Sequence, residues 1–290
     1  MKHKSGFVNI IGNPNVGKST LMNELIGENI SIITNKVQTT RHRILGILNS
    51  EEYQIIFSDT PGIIDPKYKL QENMMKAVYS VFEDSDILIY MTCAEDKKID
   101  DTILAKVVKE SIPLIILINK IDLMKQEEVE KEILHWSKKM PDAYILPISA
   151  LNKFNIENII NHIIQVLPES EPYYPKDTLT DKSERFFVQE KIREKILKHY
   201  KKEIPYSVEV KVEEFINEDN IIRIRAIIYV LRESQKRIII GHQGQGIKRI
   251  GSEARKDLEK FLNKKIFLQT PVKVKKNWRN NKSQLKDFGY

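Results

Sequence analysis

The sequence has a single cysteine, Cys93, among its 290 residues. One thiol can form neither an internal disulfide nor, by itself, a thiolate metal site, and a reducing cytosol is the expected compartment. Histidines number six and are scattered, so no His/Cys cluster has metal-site spacing. No apolar run approaches the ~18 residues that a membrane-spanning helix needs. The apolar stretch after Met1-Lys2-His3-Lys4-Ser5 stops at Gly12, too short for a signal-peptide core. Internal repeats and low-complexity tracts are missing, and no Ser-His-Asp or paired-carboxylate arrangement stands out. What is present is an ordinary globular composition, 41% hydrophobic and 30% charged. The length suits about two domains, each burying its own core.

The formal charge of +7 is unevenly placed. Residues 1–170 carry 19 Lys and Arg against 23 Asp and Glu, residues 171–230 carry 12 against 12, and residues 231–290 carry 16 against 5. The positive excess therefore sits in the last stretch. A Lys-rich solvated surface is the plain explanation, but so large an asymmetry favours a polyanionic partner, nucleic acid before acidic membrane.

From residue 6 to 166, short β-rich apolar runs (6–11, 44–48, 53–58, 86–92, 114–118, 143–148) alternate with helical patterns (19–26, 71–82, 102–109, 127–138, 155–166). Continuous runs such as Leu114-Ile115-Ile116-Leu117-Ile118 suit strands buried on both faces. The expected fold is α/β, a doubly wound, mostly parallel sheet with ligands at the carboxyl ends of its strands. Three prolines in residues 167–175 end this pattern. The expected division is 1–167, a linker 168–181, and a second α+β domain over 182–290. That second domain reads as a helix near 182–200, strands at 207–215 and 221–231, a Gly-rich turn at 241–246 between helical segments, a helix near 247–262 and a strand at 265–274.

Gly12-Asn13-Pro14-Asn15-Val16-Gly17-Lys18-Ser19 completes a G-x-x-x-x-G-K-[ST] element. It lies after a predicted strand and before a helix opened by Ser19-Thr20-Leu21. Backbone N–H groups there can face phosphate oxygens, with Lys18 reaching the β/γ-phosphates and Ser19 a Mg²⁺ ion. Asp59-Thr60-Pro61-Gly62 ends a strand, so Asp59 can hold Mg²⁺ and the Gly62 N–H can meet the γ-phosphate. Asn119-Lys120-Ile121-Asp122 places a carboxylate where guanine, but not adenine, offers two donors. A site built on such pairing can reject the wrong base by on the order of 10⁴. Ser149-Ala150-Leu151 supplies a backbone N–H for guanine O6. In the loop Gln38-Thr39-Thr40-Arg41-His42, one threonine, Thr39 or Thr40, is the expected γ-phosphate sensor. Thr40 is taken with Ser19 and Asp59 as the metal set. Ile63 follows Gly62 and can touch nucleotide, but neither it nor Ile64 can orient an attacking water as glutamine does.

In the second half, Gly241-His242-Gln243-Gly244 forms a G-x-x-G loop. Alone that is a weak signal, but here strands precede it and a helix and strand follow. Lys236, Arg237, Lys248, Arg249 and Arg255 surround it and can neutralise phosphates. The tail adds Lys275, Lys276 and Arg279 around Trp278, whose ring could stack on a base or anchor the C-terminus.

On these residues the chain resembles the TrmE-Era-EngA-like GTPases, with the P-loop and Gln38–His42 carrying the likeness and a KH domain of prokaryotic type following. The resemblance runs through essentially the whole chain. It implies a P-loop GTPase domain followed by a KH type II-like domain, GTP/GDP and Mg²⁺ as cofactors, and either K⁺ held by Asn15 in place of an arginine finger or an Asn15 side chain that only stabilises the loop. Lys18, Asn15, Thr40 and Gly62 become the expected catalytic set. The implied partners are 16S rRNA near its 3′ end and the 30S subunit, whose assembly it assists, with no DNA, a monomeric state, and cytoplasmic location with some peripheral association at the inner membrane. An RNA-binding module that uses GTP only structurally is the alternative. A single P-loop argues against tandem GTPase domains, and Asn119 with Asp122 against an ATPase.

Overall fold

The computed structural model describes residues 3–94 and 101–290. They divide into two compact units. The first runs up to Ile33 and then takes Thr40–Pro66 and Asn73–Asp181; the second joins Lys182–Tyr290 to two short segments, Thr34–Thr39 and Lys67–Glu72.

In the first unit the elements are β1 (Lys4–Ile11), α1 (Lys18–Ile26), β2 (Ile44–Asn49), β3 (Tyr53–Asp59), α2 (Lys69–Tyr79, whose first turn to Glu72 belongs to the second unit), β4 (Ile87–Cys93), α3 (Asp101–Glu110), β5 (Leu114–Asn119), α4 (Gln126–Lys139), β6 (Tyr144–Pro147) and α5 (Ile156–Val166). The strand order is β2-β3-β1-β4-β5-β6, with β2 antiparallel to β3 and every other pairing parallel. Every residue of β4 and β5 is buried, as two covered faces require, and this is why these strands are unbroken apolar runs. One core layer joins Ile11, Val78, Tyr90, Ile116 and Trp136. The helix expected at 71–82 starts earlier, at Lys69, and after Tyr79 tightens into a 3₁₀ turn over Ser80–Glu83. Residues 168–181 stay with this unit. Gln54 exchanges two hydrogen bonds with the Tyr174 backbone, at 2.8 and 2.9 Å. Further on, the Ile47 N–H donates to the Leu179 carbonyl, the Leu45 N–H to Asp181 Oδ1 and the Thr180 hydroxyl to the Leu45 carbonyl.

The second unit contains α6 (Glu184–His199), α7 (Ile204–Ser207), β7 (Glu209–Asn217), β8 (Ile221–Val230), α8 (Glu233–Ile240), α9 (Gln245–Phe261), β9 (Lys265–Gln269), β10 (Val272–Val274) and α10 (Lys282–Asp287). β8 is the centre of its sheet, antiparallel to β7 and parallel to β9 and β10. Alternate residues of β8 (Ile222, Ile224, Ala226, Ile228) meet Ile192 and Ile196 of α6 and Ile250, Ala254 and Leu258 of α9 in one core. The single strand expected at 265–274 is two strands, broken at Thr270-Pro271, where proline has no N–H for the ladder. Short α7 and α10 carry too few turns to show helical periodicity in sequence.

Candidate functional site

The order of strands reverses around β1, and the P-loop leaves the carboxyl end of that strand. Gly17 has φ 107°, and a Cβ there would lie 2.3 Å from Asn119 Nδ2, so only glycine lets the loop close on the base-reading strand end. Asn15 is also left-handed, at φ 65°. Lys18 is buried, and its ammonium donates to the carbonyls of Gly12 and Asn13, each at 2.9 Å. The Asp59–Gly62 segment closes on the same loop: the Ile63 N–H donates to the Gly12 carbonyl at 3.2 Å.

Three oxygens converge beside the start of α1. Ser19 Oγ lies 2.9 Å from Thr40 Oγ1, and the two hydroxyls donate to Asp59 Oδ2 at 2.7 and 3.2 Å. Asp59 is fully buried, and its other oxygen, Oδ1, has no hydrogen-bond partner among the described residues. Burial raises this carboxyl above its ordinary pKa, against the opposing Ser19 hydrogen bond, the Lys18 charge and the Thr40 hydrogen bond. One carboxylate and two hydroxyls make an all-oxygen donor set suited to a hard cation such as Mg²⁺. Among the described residues no group of three or more His, Cys, Asp or Glu could hold a metal, so a softer ion has no comparable site there.

Thr40, not Thr39, belongs to this cluster. The Thr39 hydroxyl is turned away, onto the Lys36 carbonyl at 2.6 Å and Thr34 Oγ1 at 2.7 Å. Two further residues expected to touch nucleotide spend their side chains elsewhere. The Thr60 hydroxyl donates to the Ile10 carbonyl at 2.7 Å, and Ile63 is buried with Val78 and Phe82. β-Branched and apolar side chains beside a packed sheet satisfy themselves inward, leaving only backbone to face a ligand.

The residues expected to read the base brace one another. Asn119 Oδ1 accepts the Ala150 N–H at 2.9 Å while its Nδ2 donates to the Val16 carbonyl at 2.7 Å. The Ser149 hydroxyl donates to Asp122 Oδ1 at 2.5 Å, which fixes the carboxylate. Lys120 takes φ 64°, and Leu151 is exposed. Of the other residues expected at the site, Pro14, Pro61 and Ile121 follow the ends of β1, β3 and β5, and Thr20 lies in the first turn of α1.

In the second unit, α8 ends at Ile240 and α9 starts at Gln245. His242 and Gln243 of the intervening loop are exposed, as are Arg237, Lys248 and Arg249, while Lys236 is half-buried. Gly244 has φ 76° with nothing within 4 Å of a Cβ position, an open backbone surface. Beside it lies a groove of about 740 Å³ lined by Ile247, Ile266, Phe267 and Leu268, with Arg225, Lys248 and Arg255 among its cations. Arg225, Ser252, Gln269 and Thr270 of this groove belong to no motif in the sequence. Their one sequence signal is Gly251 inside a helix, where glycine costs about 1 kcal/mol relative to alanine, although a Cβ there would make only ordinary contact with Thr270 Oγ1, at 3.5 Å.

The tail departs from expectation. Trp278 is wholly buried, its indole N–H donates to the Ser207 carbonyl at 3.1 Å, and its ring meets Phe288 edge-on. It cannot stack on a base. Arg279 lies over the Tyr68 ring at 4.4 Å and donates to the Tyr206 carbonyl, and Lys275 pairs with Asp287 and sits over Tyr229 and Phe288. The chain turns back through α10, which draws these side chains into packing; Lys276 alone of the four stays exposed.

Residues 7–120 match the family described as 50S ribosome-binding GTPase, and residues 203–279 match the KH domain. Among solved structures, the chain is similar to Era in complex with MgGDPNP and nucleotides 1506–1542 of 16S ribosomal RNA, with 39% identity, 99% of each chain covered and a TM-score of 0.95. It is equally similar to a point variant of Era from Aquifex aeolicus bound to GDP and AlF₄⁻, again at 39% identity, 99% coverage of each chain and a TM-score of 0.95.

Proposed function

The chain belongs to the Era family of GTPases, and on that premise we propose that it is a Mg²⁺-dependent GTP switch that binds small-subunit ribosomal RNA and assists 30S assembly. The observation that carries this reading is the presence, in one chain, of the Ser19–Thr40–Asp59 cluster and of an open Gly241–Gly244 loop beside an apolar, cation-rimmed groove. P-loop N–H groups and Lys18 hold the phosphates, the Gly62 N–H meets the γ-phosphate, and Asp122 selects guanine. When bound, Mg²⁺ supplies charge neutralisation at the β- and γ-phosphates. With Ile63 buried, nothing after Gly62 positions the attacking water, so turnover is slow and depends on an ion beside Asn15 or on the ribosome.

The groove suits single-stranded RNA. Unstacked bases enter the apolar floor while phosphates meet the exposed cations around the loop. The matched GTPase family is described by binding to the large subunit, but the full-length relative holds RNA of the small one, and the loop and groove lie outside residues 7–120. We place the protein in the cytoplasm as a monomer, with peripheral contact at the inner membrane surface through the basic second unit. Cross-linking in cells followed by sequencing of the bound RNA tests the assignment. Small-subunit RNA should dominate; recovery of tRNA or mRNA without it would sink the ribosomal reading. Loss of turnover in Lys18→Ala checks the switch itself.

A further inference from the structure

The helix α6 is odd for a core helix, because Glu190, Arg193, Glu194 and Lys195 are buried in it alongside its apolar residues. Most of these charges pair within the helix or with α9: Lys198 with Glu194, and Lys195 with Asp257. Arg193 is different. It is 1% exposed, and it forks onto Glu190 with Nε to Oε1 at 2.8 Å and Nη2 to Oε2 at 2.5 Å. Its Nη2 also donates to the backbone carbonyl of Thr39, a residue far away in sequence, and Nη1 has no partner among the described residues. A buried guanidinium is expensive to desolvate, and a simple helix clip between Glu190 and Arg193 needs no distant carbonyl.

Thr39 sits in a compact turn of its own. Its hydroxyl and the Thr34 hydroxyl close residues 34–39, and Gln38 holds φ 61°. A second interaction fixes the same turn: the Tyr68 hydroxyl donates to Gln38 Oε1 at 2.8 Å, with Tyr68 itself beneath the Arg279 guanidinium. One peptide bond beyond Thr39 is Thr40, with its hydroxyl 2.9 Å from Ser19 Oγ. Consecutive Cα atoms are ~3.8 Å apart, so movement of the Thr39 carbonyl displaces the Thr40 side chain with it.

We propose that Arg193 and Tyr68 are positioning residues for GTP: they clamp residues 38–39 within the RNA-binding unit and so deliver Thr40 to the metal set. The inference rests on the reading of Thr40 as the γ-phosphate-sensing ligand. GDP has no γ-phosphate and needs no Thr40, so the clamp favours the triphosphate alone. Reciprocity then makes bound GTP tighten the clamp on α6, the helix that shares its core with α9 beside the RNA groove.

The test measures dissociation of fluorescent non-hydrolysable GTP and of fluorescent GDP, in Mg²⁺, from the full chain. The variants are Arg193→Lys, which keeps a charge beside Glu190 but loses the fork, and Tyr68→Phe, which removes one hydroxyl. Each should release the GTP analogue about 3–10-fold faster, on the scale of one charge-assisted or buried hydrogen bond, and change GDP release less than about twofold. An unchanged GTP-to-GDP ratio in both variants, or equal acceleration of both nucleotides, overturns the clamp. A wild-type chain that retains neither nucleotide overturns instead the GTPase reading on which it stands.

Discussion

Thr40 and Ser19 hold their hydroxyls 2.9 Å apart over the Asp59 carboxylate, whereas the adjacent Thr39 hydroxyl is committed to its own loop. The two threonines should therefore separate cleanly on mutation. Thr40→Ala is expected to lower Mg²⁺-dependent turnover by about 10–100-fold, the usual scale for loss of a group that orders a metal site, and to leave GDP binding intact. Thr39→Ala should cost about 1 kcal/mol of loop stability and little turnover. Steady-state GTPase assays on both variants decide; an equal loss would remove Thr40 from the metal set.

Asp59 carries a cost in the absence of cation. Burial raises its pKa above the ordinary 3.8, so the folded chain holds that proton more tightly than the unfolded one. The stabilisation from the bound proton is present below the ordinary value and is lost as pH rises through the raised one. Asp59→Asn is neutral throughout, and in EDTA without nucleotide it should melt above the wild type at pH 7, with the difference shrinking towards about pH 4. Adding Mg²⁺ and a GTP analogue should reverse the order. Melting of the Asn variant below wild type at pH 7 in EDTA would contradict this.

The burial of Trp278 makes it a stability residue. Trp278→Ala should cost about 3–5 kcal/mol in denaturant unfolding, while Trp278→Phe should keep RNA affinity within about twofold. A larger loss in a folded Trp278→Phe protein would restore the base-stacking role.

Lys248 and Arg249 stand exposed at the start of α9. Replacing either with alanine should weaken single-stranded RNA binding at all sequences. It should also flatten the dependence of log K on log salt, by about 0.7 for each phosphate no longer neutralised. Titrations at several KCl concentrations measure the slope. A slope identical to wild type in both variants would move the phosphate path elsewhere.

Asn15 is proposed to hold K⁺ beside the phosphates. GTP turnover should be faster in KCl than in NaCl, and Asn15→Ala should erase the difference. Equal rates of the wild type in the two salts would discard the ion.

The nucleotide site is readable because each of its segments is a contiguous motif at a strand end, where local sequence and position in the sheet say the same thing. Thr39 and Thr40 are not separable that way. Both carry the right hydroxyl, and only the turn built by Thr34 and Lys36 decides which one faces Asp59. Trp278 among basic residues has the composition of an RNA-binding tail. Its burial depends on Ser207 and Phe288, the first distant in sequence and the second carried back by α10. Arg193 looks like one charge in a charged helix, since its acceptor is a backbone carbonyl more than a hundred residues away. Motifs declare what a ligand meets; they are silent on what holds the motif in place.

The chain between the two units has a role in deciding who can join the first one. β2 is the terminal strand of its sheet, and on its outer side the Ile47 N–H, the Leu45 N–H and the Leu45 carbonyl are met by Leu179, Asp181 and Thr180 of the same molecule. An extended peptide from a regulator, or a second copy, finds the Leu45 and Ile47 positions of this edge already taken. The other end of the sheet is β6, half-buried and paired on one side only, with β5. Among the described residues the sheet edge left for strand addition is thus Tyr144–Pro147, two positions before Ser149, the residue expected to lie at the base.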